Sequence, residues 1–178
     1  MARPKSKPSA NASAALKEQD KSPVSAAEFI LADFRVSKVI AERFRAPEDA
    51  RKGTYRLTAS TGDLVFSEPN TVPQMGVITF TLNVDGSTMS DDDPPSKVKS
   101  FSVHIESEGR FEIVGDVDTE DRTQCEGLVE PIISLMHALC VNTARTEADS
   151  MGYRSVRPSY QPKNRPKPKI HPEESNAD

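Results

Sequence analysis

Strict alternation of apolar and polar side chains in the middle of the chain restricts its fold more than any other feature. Over much of MGVITFTLNVDG (residues 75–86) and FSVHIESEGRFEIVG (residues 101–115), every second position is apolar. A period of two places one set of side chains on one face of a sheet, and β-branched and aromatic residues are typical of strands. The Ser-Glu-Gly break at residues 107–109 predicts that the second segment folds as a hairpin.

Two earlier segments also predict strands. In residues 27–47, Phe34 and Val36 share one parity, and Val39 and Ile40 follow after an apparent slip. Such a slip is typical of a long strand that contains a β-bulge or a bend. Residues 53–60 alternate again without interruption.

The periodicity changes to that of a helix between Pro131 and Ala148. Apolar residues recur there at steps of three and four, which is one face of a helix: Ile132, Leu135, Met136 and Leu139. Pro131 fits the first helical turn, and Gly152 lies just beyond the predicted end. Strands followed by a helix predict an α+β fold, in which one long helix covers one face of a four-stranded antiparallel sheet.

Composition divides the 178 residues into three regions. Residues 1–27 are rich in Ala, Ser, Pro and Lys, residues 28–153 hold nearly all the large apolar side chains, and residues 154–178 are basic and rich in proline. Both end regions are predicted to be disordered, and the prolines of the second are too frequent for a helix or a strand. The net charge of −4 and the lack of an apolar run near 18 residues predict a soluble chain with no membrane span.

Patterns that support catalysis or metal binding are missing from the sequence. There is no nucleophile-elbow, P-loop or dinucleotide-binding motif, so the chain is predicted not to be an enzyme and to use no cofactor. Cys125 and Cys140 lack zinc-ligand spacing and predict the reduced thiols of a cytoplasmic protein, with Cys140 in the core. His104 and His137 are interpreted as structural or solvated. The acidic run at residues 115–121 lacks the spacing of a calcium-binding loop.

The last region carries the strongest charge feature of the chain. Six basic residues precede the first acid, Glu173: Arg154, Arg157, Lys163, Arg165, Lys167 and Lys169. Such a segment attracts phosphates or an acidic protein surface, or it simply improves solubility. Tyr160 is its only aromatic residue, which does not support a base-stacking platform. A nucleic-acid-associated protein is therefore the less favoured alternative, and it predicts binding that falls steeply with salt.

Several of these segments together resemble the SecB family of bacterial export chaperones. Residues 101–115 are similar to the F-x-x-x-V, G-x-F-x-I-x-G pattern of the family's third-to-fourth strand hairpin. CEGLVEPII (residues 125–133) is similar to its C-x-G-x-x-x-P-x-I entry into the long helix, and FRVSKVIAERFRAP (residues 34–47) resembles its first strand. The resemblance covers residues 29–153.

The resemblance implies a homotetramer that works as a holdase. Such a protein binds unfolded preproteins in an apolar groove without ATP and passes them to the SecA motor. The resemblance carries the groove over, position by position, to five residues: Tyr55, Leu57, Phe101, Cys125 and Leu135. Two more apolar residues are added because they are expected to be exposed: Phe34 and Phe44.

The chain departs from the family pattern at two places. In IISLMH (residues 132–137), Leu135 and His137 stand at the family's aromatic positions. The basic tail stands where the family has a second helix, which flanks the groove and helps to contact SecA. The alternatives are therefore a divergent SecB-like chaperone dedicated to the antitoxin of a toxin–antitoxin system or to another single client, and a structural oligomer without a client.

Overall fold

The computed structural model describes the following parts of the chain: residues 28–50, 53–68, 71–91, 94–115, 117, 122–154, 156–158 and 168–172. The predicted N-terminal tail, residues 1–27, lies outside the described residues. So do residues 159–167 and 173–178 of the predicted C-terminal tail.

A single sheet and one long helix make up the fold. The elements in chain order are β1 (Glu28–Arg43), β2 (Thr54–Phe66), β3 (Gln74–Met89), β4 (Lys97–Val114), α1 (Arg122–Ser150) and β5 (Ile170–Pro172), with one turn of 3-10 helix at Pro47–Ala50. The strand order is β1-β4-β3-β2-β5. The four long strands are antiparallel, and β5 is parallel to β2. The predicted α+β fold, a four-stranded antiparallel sheet followed by one long helix, is confirmed.

β4 is one continuous strand of 18 residues, so the hairpin predicted within residues 101–115 is wrong. Ser107 and Gly109 are buried and keep the inward parity of the apolar residues on either side. The hydroxyl of Ser107 donates to the carbonyl of Phe80 at 3.1 Å, which satisfies it inside the core. A Cβ at Gly109 would overlap the side chain of Met136 in α1. These small residues let the helix lie close to the strand; they do not end the strand.

β1 confirms the predicted bulged strand. Its pairing with β4 shifts register between Leu31 and Asp33 and again between Val36 and Lys38. Each shift inserts one extra residue, so apolar side chains on both sides of a bulge still point to the helix side. The second shift explains why the sequence pattern slips before Val39.

The core lies between α1 and one face of the sheet. Its largest fully buried side chains come from β2, β3, β4 and α1: Leu64, Phe66, Ile78, Phe80, Leu82, Ile105, Phe111, Leu128, Ile132, Ile133, Met136 and His137. Each buried Leu, Ile or Phe of this kind stabilises the fold by about 1.5–3 kcal/mol relative to an exposed one. The other face of the sheet carries mostly polar and charged side chains, with a few exposed apolar ones: Ile30, Ile40 and Val114.

α1 begins at Arg122, so the prediction that Pro131 occupies the first turn is wrong. Pro131 lies inside the helix with an exposed side chain. A proline at such a position costs a backbone hydrogen bond. The helix continues through it because Cys125, Leu128 and Ile132 on the same helix are fully buried in the core.

The predicted end of the helix at Gly152 is confirmed. Gly152 has a φ of 96°, and its amide donates to the carbonyl of Asp149 at 3.0 Å. The amide of Tyr153 donates to the carbonyl of Ala148 at 2.8 Å. These two bonds form a Schellman motif, which directs the chain back towards the sheet.

Part of α1, Cys125–Ser150, is long and apolar enough to cross a membrane by length and composition alone. A core helix of a soluble protein passes the same test. Here Cys125, Leu128, Met136 and Cys140 are fully buried in the same core as the sheet residues. We therefore interpret α1 as a core helix, and the absence of a membrane span stays a prediction.

Described parts of the C-terminal region contact the core, so the prediction that its prolines exclude a strand is wrong for one segment. Ile170–Pro172 pair with Leu64–Phe66 at the edge of the sheet, and the amide of Leu64 donates to the carbonyl of Lys169 at 2.8 Å. Prolines are tolerated in an edge strand because one side of it needs no donors. Val156 is also buried, so ordered packing continues beyond residue 153.

Candidate functional site

The seven predicted client-binding residues fall into three classes of exposure. Two are buried: Phe101 and Cys125. Three are half-buried against the core: Phe34, Leu57 and Leu135. Two are exposed: Tyr55 (41%) and Phe44 (51%). The seven therefore do not form one open surface, and their contact with a client stays a prediction.

Burial contradicts the expectation that Phe101 lies on an open face, since the residue is only 3% exposed. The ring of Tyr153 covers it, with the two ring centroids 4.5 Å apart. The Tyr153 hydroxyl holds this cover in place, because its single hydrogen is shared between the carbonyl oxygens of Arg45 (2.6 Å) and Ser100 (2.9 Å). Burial also raises the pKa of Tyr153, so the hydroxyl keeps its proton as a donor. Sequence reasoning missed Tyr153 because its position depends on where α1 ends.

Both cysteines are buried thiols rather than disulfide partners, which confirms the prediction for Cys140. The Sγ of Cys140 lies 3.1 Å from the Oγ of Ser107, and burial raises the pKa of this thiol. A protonated thiol is a poor nucleophile and a poor metal ligand. Cys125 is fully buried, so contact with a client would require the core to open at this point, and that contact stays a prediction.

Part of the apolar surface exposed in the described residues lies on β1, with Val36 and Val39 on the helix side and Ile30 and Ile40 on the other face. Phe34, Val36 and Val39 point to the helix side of the sheet, because their partners on β4 are inward-facing residues. Val36 and Val39 are 38% and 39% exposed, whereas those partners are buried. α1 covers the middle of the sheet more fully than this edge strand. We call Phe34, Val36 and Val39 the β1 strip.

β1 is also an edge of the sheet within the described residues, because only β4 pairs with it. A long edge strand presents a row of backbone N–H and C=O groups that another chain can pair with. The β1 strip therefore combines exposed apolar side chains with an open backbone edge. That combination suits an extended polypeptide or a second copy of the chain.

On the opposite face of the sheet, polar side chains form a cluster at the same register as the β1 strip. The two ring nitrogens of His104 lie 2.7 Å from Oδ1 of Asn83 and 2.8 Å from Oε1 of Glu106. Nζ of Lys38 lies 3.2 Å from the same Glu106 oxygen. The hydrogen bonds from His104 and then from Lys38 lower the pKa of Glu106. A lowered carboxyl pKa contributes stability above the unfolded-state value, and that contribution is lost as the pH falls through the folded-state value.

Metal-binding geometry is not found in the part of the chain that the structure describes. No three His, Cys, Asp or Glu side chains there are close enough together to hold an ion. His137 is fully buried, with its ring edge-on to Phe80 at a centroid distance of 6.2 Å, which fits its interpretation as a structural residue.

The fold and this surface define a class: an open antiparallel sheet, covered on one face by a single long helix, with an apolar edge strand. A solved structure with a similar fold is the Mycobacterium tuberculosis SecB-like chaperone Rv1957 in complex with a ChAD peptide from the Rv1956 HigA1 antitoxin. The TM-score is 0.54 with 12% sequence identity, and the match covers 74% of this chain and 89% of that chain. The comparison shows a SecB-like fold.

A second solved structure, a protein of unknown function from Streptococcus agalactiae, matches 79% of this chain and 100% of its own, with a TM-score of 0.34 and 13% identity. No protein-family model matches the chain, and no curated protein matches it significantly.

Proposed function

We propose that this protein is a chaperone that holds unfolded polypeptide segments without ATP. The observation that carries the proposal is the β1 strip, an exposed apolar surface beside an open strand edge. The fold likeness to a SecB-like chaperone with a bound peptide supports it. Burial of apolar area contributes about 25 cal/mol per Å² and is non-directional, so such a surface binds many sequences and needs no catalytic residue.

The similar structure favours a dedicated client of the antitoxin type, because that chaperone is in complex with an antitoxin peptide. Delivery of preproteins to the Sec translocase through SecA is the second version. It follows from the sequence resemblance alone, and the helix that helps to contact SecA in the family is replaced here by the basic tail. Both versions place the protein in the cytoplasm.

Adjacent residues on opposite faces of β1 give a matched test of client binding. Val39 is 39% exposed on the β1 strip, and Ile40 is 41% exposed on the polar face. We expect Val39→Asp to weaken binding of an unfolded protein about five- to tenfold, because a carboxylate replaces roughly 1–1.4 kcal/mol of apolar burial. The measurement is suppression of the aggregation of a slowly refolding protein, without nucleotide, together with the affinity for a permanently unfolded one.

Ile40→Asp is the control, since it adds the same charge at nearly the same exposure on the other face. Both variants should melt like the wild type because neither carboxylate is buried. Equal loss of binding in the two variants would contradict the β1 strip as the binding surface. A wild-type chain that neither binds unfolded protein nor suppresses aggregation would refute the chaperone function.

We also propose that the chain assembles into a homo-oligomer, most simply a tetramer. The resemblance to the SecB family implies a tetramer, and apolar side chains exposed outside the β1 strip, Ile30 and Val114 on the other face of the sheet, leave surface that a second copy can cover. Light scattering at micromolar concentration should therefore give a mass of about four chains of 19.5 kDa. A monomer mass under these conditions would refute the assembly.

A further inference from the structure

The other edge of the sheet, formed by β2, is only partly covered. β5 pairs with Leu64–Phe66, and in the described part of the chain no strand pairs with Tyr55–Thr61 on that edge. Leu64 has its side chain in the core and its amide directed outwards, to the carbonyl of Lys169. Leu57 and Ala59 also pack against the core from β2. Residues of one strand that share a face direct their amides to the same edge, so Leu57 and Ala59 also offer backbone donors and acceptors there, on the other side of the register shift between Thr61 and Leu64.

The C-terminal region contacts both ends of this edge. Near the start of β2, the hydroxyl of Tyr55 donates to the carbonyl of Arg157 at 2.7 Å. Arg157 is held there by an ion pair with Asp149 of α1 at 3.5 Å. Near the end of β2, the carbonyl of Lys169 accepts from Leu64. The two contacts follow each other in the direction of β2, as a parallel neighbour of that strand requires.

The positions of the prolines in this region are compatible with the backbone pairing between β5 and β2. All of them occupy even-numbered positions: Pro158, Pro162, Pro166, Pro168 and Pro172. In a parallel ladder, a residue opposite position j bonds to the carbonyl of j−1 and the amide of j+1. Because Leu64 is opposite Ile170, the bonds come from Lys169 and His171, which are odd-numbered. Pro168 and Pro172, the prolines next to the paired residues, therefore lack an N–H that this register does not use.

We propose that the edge of β2 binds an extended segment of an unfolded client by strand addition, and that residues 168–172 compete for that edge as a tethered strand of the same chain. The inference deepens the proposed chaperone function and rests on it. Backbone pairing does not depend on side chains, which suits a protein that holds varied or disordered segments.

Residues 168–172 make few contacts with the edge of β2, but their local concentration there is high. Only three residues pair, and Lys169 beside them is exposed. Because the segment belongs to the same chain, its effective concentration at the edge is about millimolar. A client must exceed the tethered segment in affinity to occupy the whole edge, so the tail limits weakly binding chains to its uncovered part, which includes Tyr55 and Leu57, two of the predicted client-binding residues.

The test uses substitutions in the full-length chain that distinguish the contribution of a backbone amide in residues 171–172 from the contribution of the side chain. His171→Pro removes the amide that the register directs to Leu64, and His171→Ala removes only the side chain. Pro172→Ala adds an amide on the side that does not pair. Two quantities are measured for each variant: hydrogen exchange of the Leu64 amide, and the affinity for reduced, carboxymethylated α-lactalbumin by fluorescence anisotropy.

We expect His171→Pro to lose protection of the Leu64 amide and to bind the unfolded protein several-fold more tightly, with both controls close to wild type. If His171→Pro leaves Leu64 protected, the pairing register is wrong and the inference fails. If Leu64 loses protection but affinity is unchanged, competition is refuted while the chaperone function stands. If no variant binds the unfolded protein, the proposed function itself fails, and the inference fails with it.

Discussion

Replacing Phe101 with aspartate is expected to destabilise the fold severely and to leave little assembled protein. Phe101 is 3% exposed beneath the Tyr153 ring. Removing a buried phenylalanine costs about 3–5 kcal/mol, and a buried carboxylate without a partner adds to this. That loss is a large part of the total stability of a domain of this size. The measurement is the urea midpoint of unfolding, with light scattering to follow assembly.

Phe44→Asp is the matched control, because Phe44 is 51% exposed and its ring lies 5.2 Å from Nζ of Lys99. Loss of that exposed cation–π contact should change the free energy of unfolding by about 0.5–1 kcal/mol at most. If Phe101→Asp instead melts and assembles like the wild type but binds unfolded protein poorly, Phe101 lies on an open groove after all. The Tyr153 cover would then be displaceable.

Gly86→Ala is expected to lower the free energy of unfolding by about 1–3 kcal/mol, although one methyl group is all that it adds. Gly86 is the cross-strand partner of Phe101, and the Phe101 ring lies directly over it. A Cβ at residue 86 would overlap that ring, with the Cζ atom only 2.7 Å away. The ring is confined by Tyr153 above it, so it has little room to move. Chemical denaturation of the single variant measures the cost.

The same glycine-to-alanine substitution at residue 127, Gly127→Ala, is expected to have the opposite effect on the free energy of unfolding. Gly127 is exposed in α1, and a Cβ there would meet no atom within 4 Å. Alanine in a helix is favoured over glycine by about 0.8–1.0 kcal/mol, so this variant should be more stable than the wild type. Gly86→Ala should lower the free energy of unfolding less in a Phe101→Leu protein than in the wild type, because the smaller side chain leaves room for the new methyl group. A Gly86→Ala protein as stable as the wild type would show that the contact with Phe101 is not confining.

The sequence predicted those parts of the fold that depend on neighbours a few residues apart. The alternation from Ile78 to Val84 sets which face of β3 is buried, and all four side chains are in the core. The slip at Val39 located a bulge, since an extra residue in a strand always shifts the parity of the pattern. Gly152 marked the end of α1 because glycine adopts a positive φ without strain.

Burial and pairing between distant segments could not be predicted in this way. Ser107 and Gly109 looked like a turn, and only the helix packed against them shows why a continuous strand needs small residues there. The open face expected at Phe101 is closed by Tyr153, whose position is set by the last turn of α1.

The sequence by itself determined the order of the four long strands and α1 and the inward face of those strands, because periodicity is a local property of the chain. It did not predict β5. Tertiary structure decided which inward positions stay exposed, as on the β1 strip, and which edge of the sheet receives another segment. The pairing of Leu64 with the tail near Lys169 depends on where two remote stretches meet in space. Exposure and strand addition are set by which segments cover which surface, and no pattern of near neighbours records that.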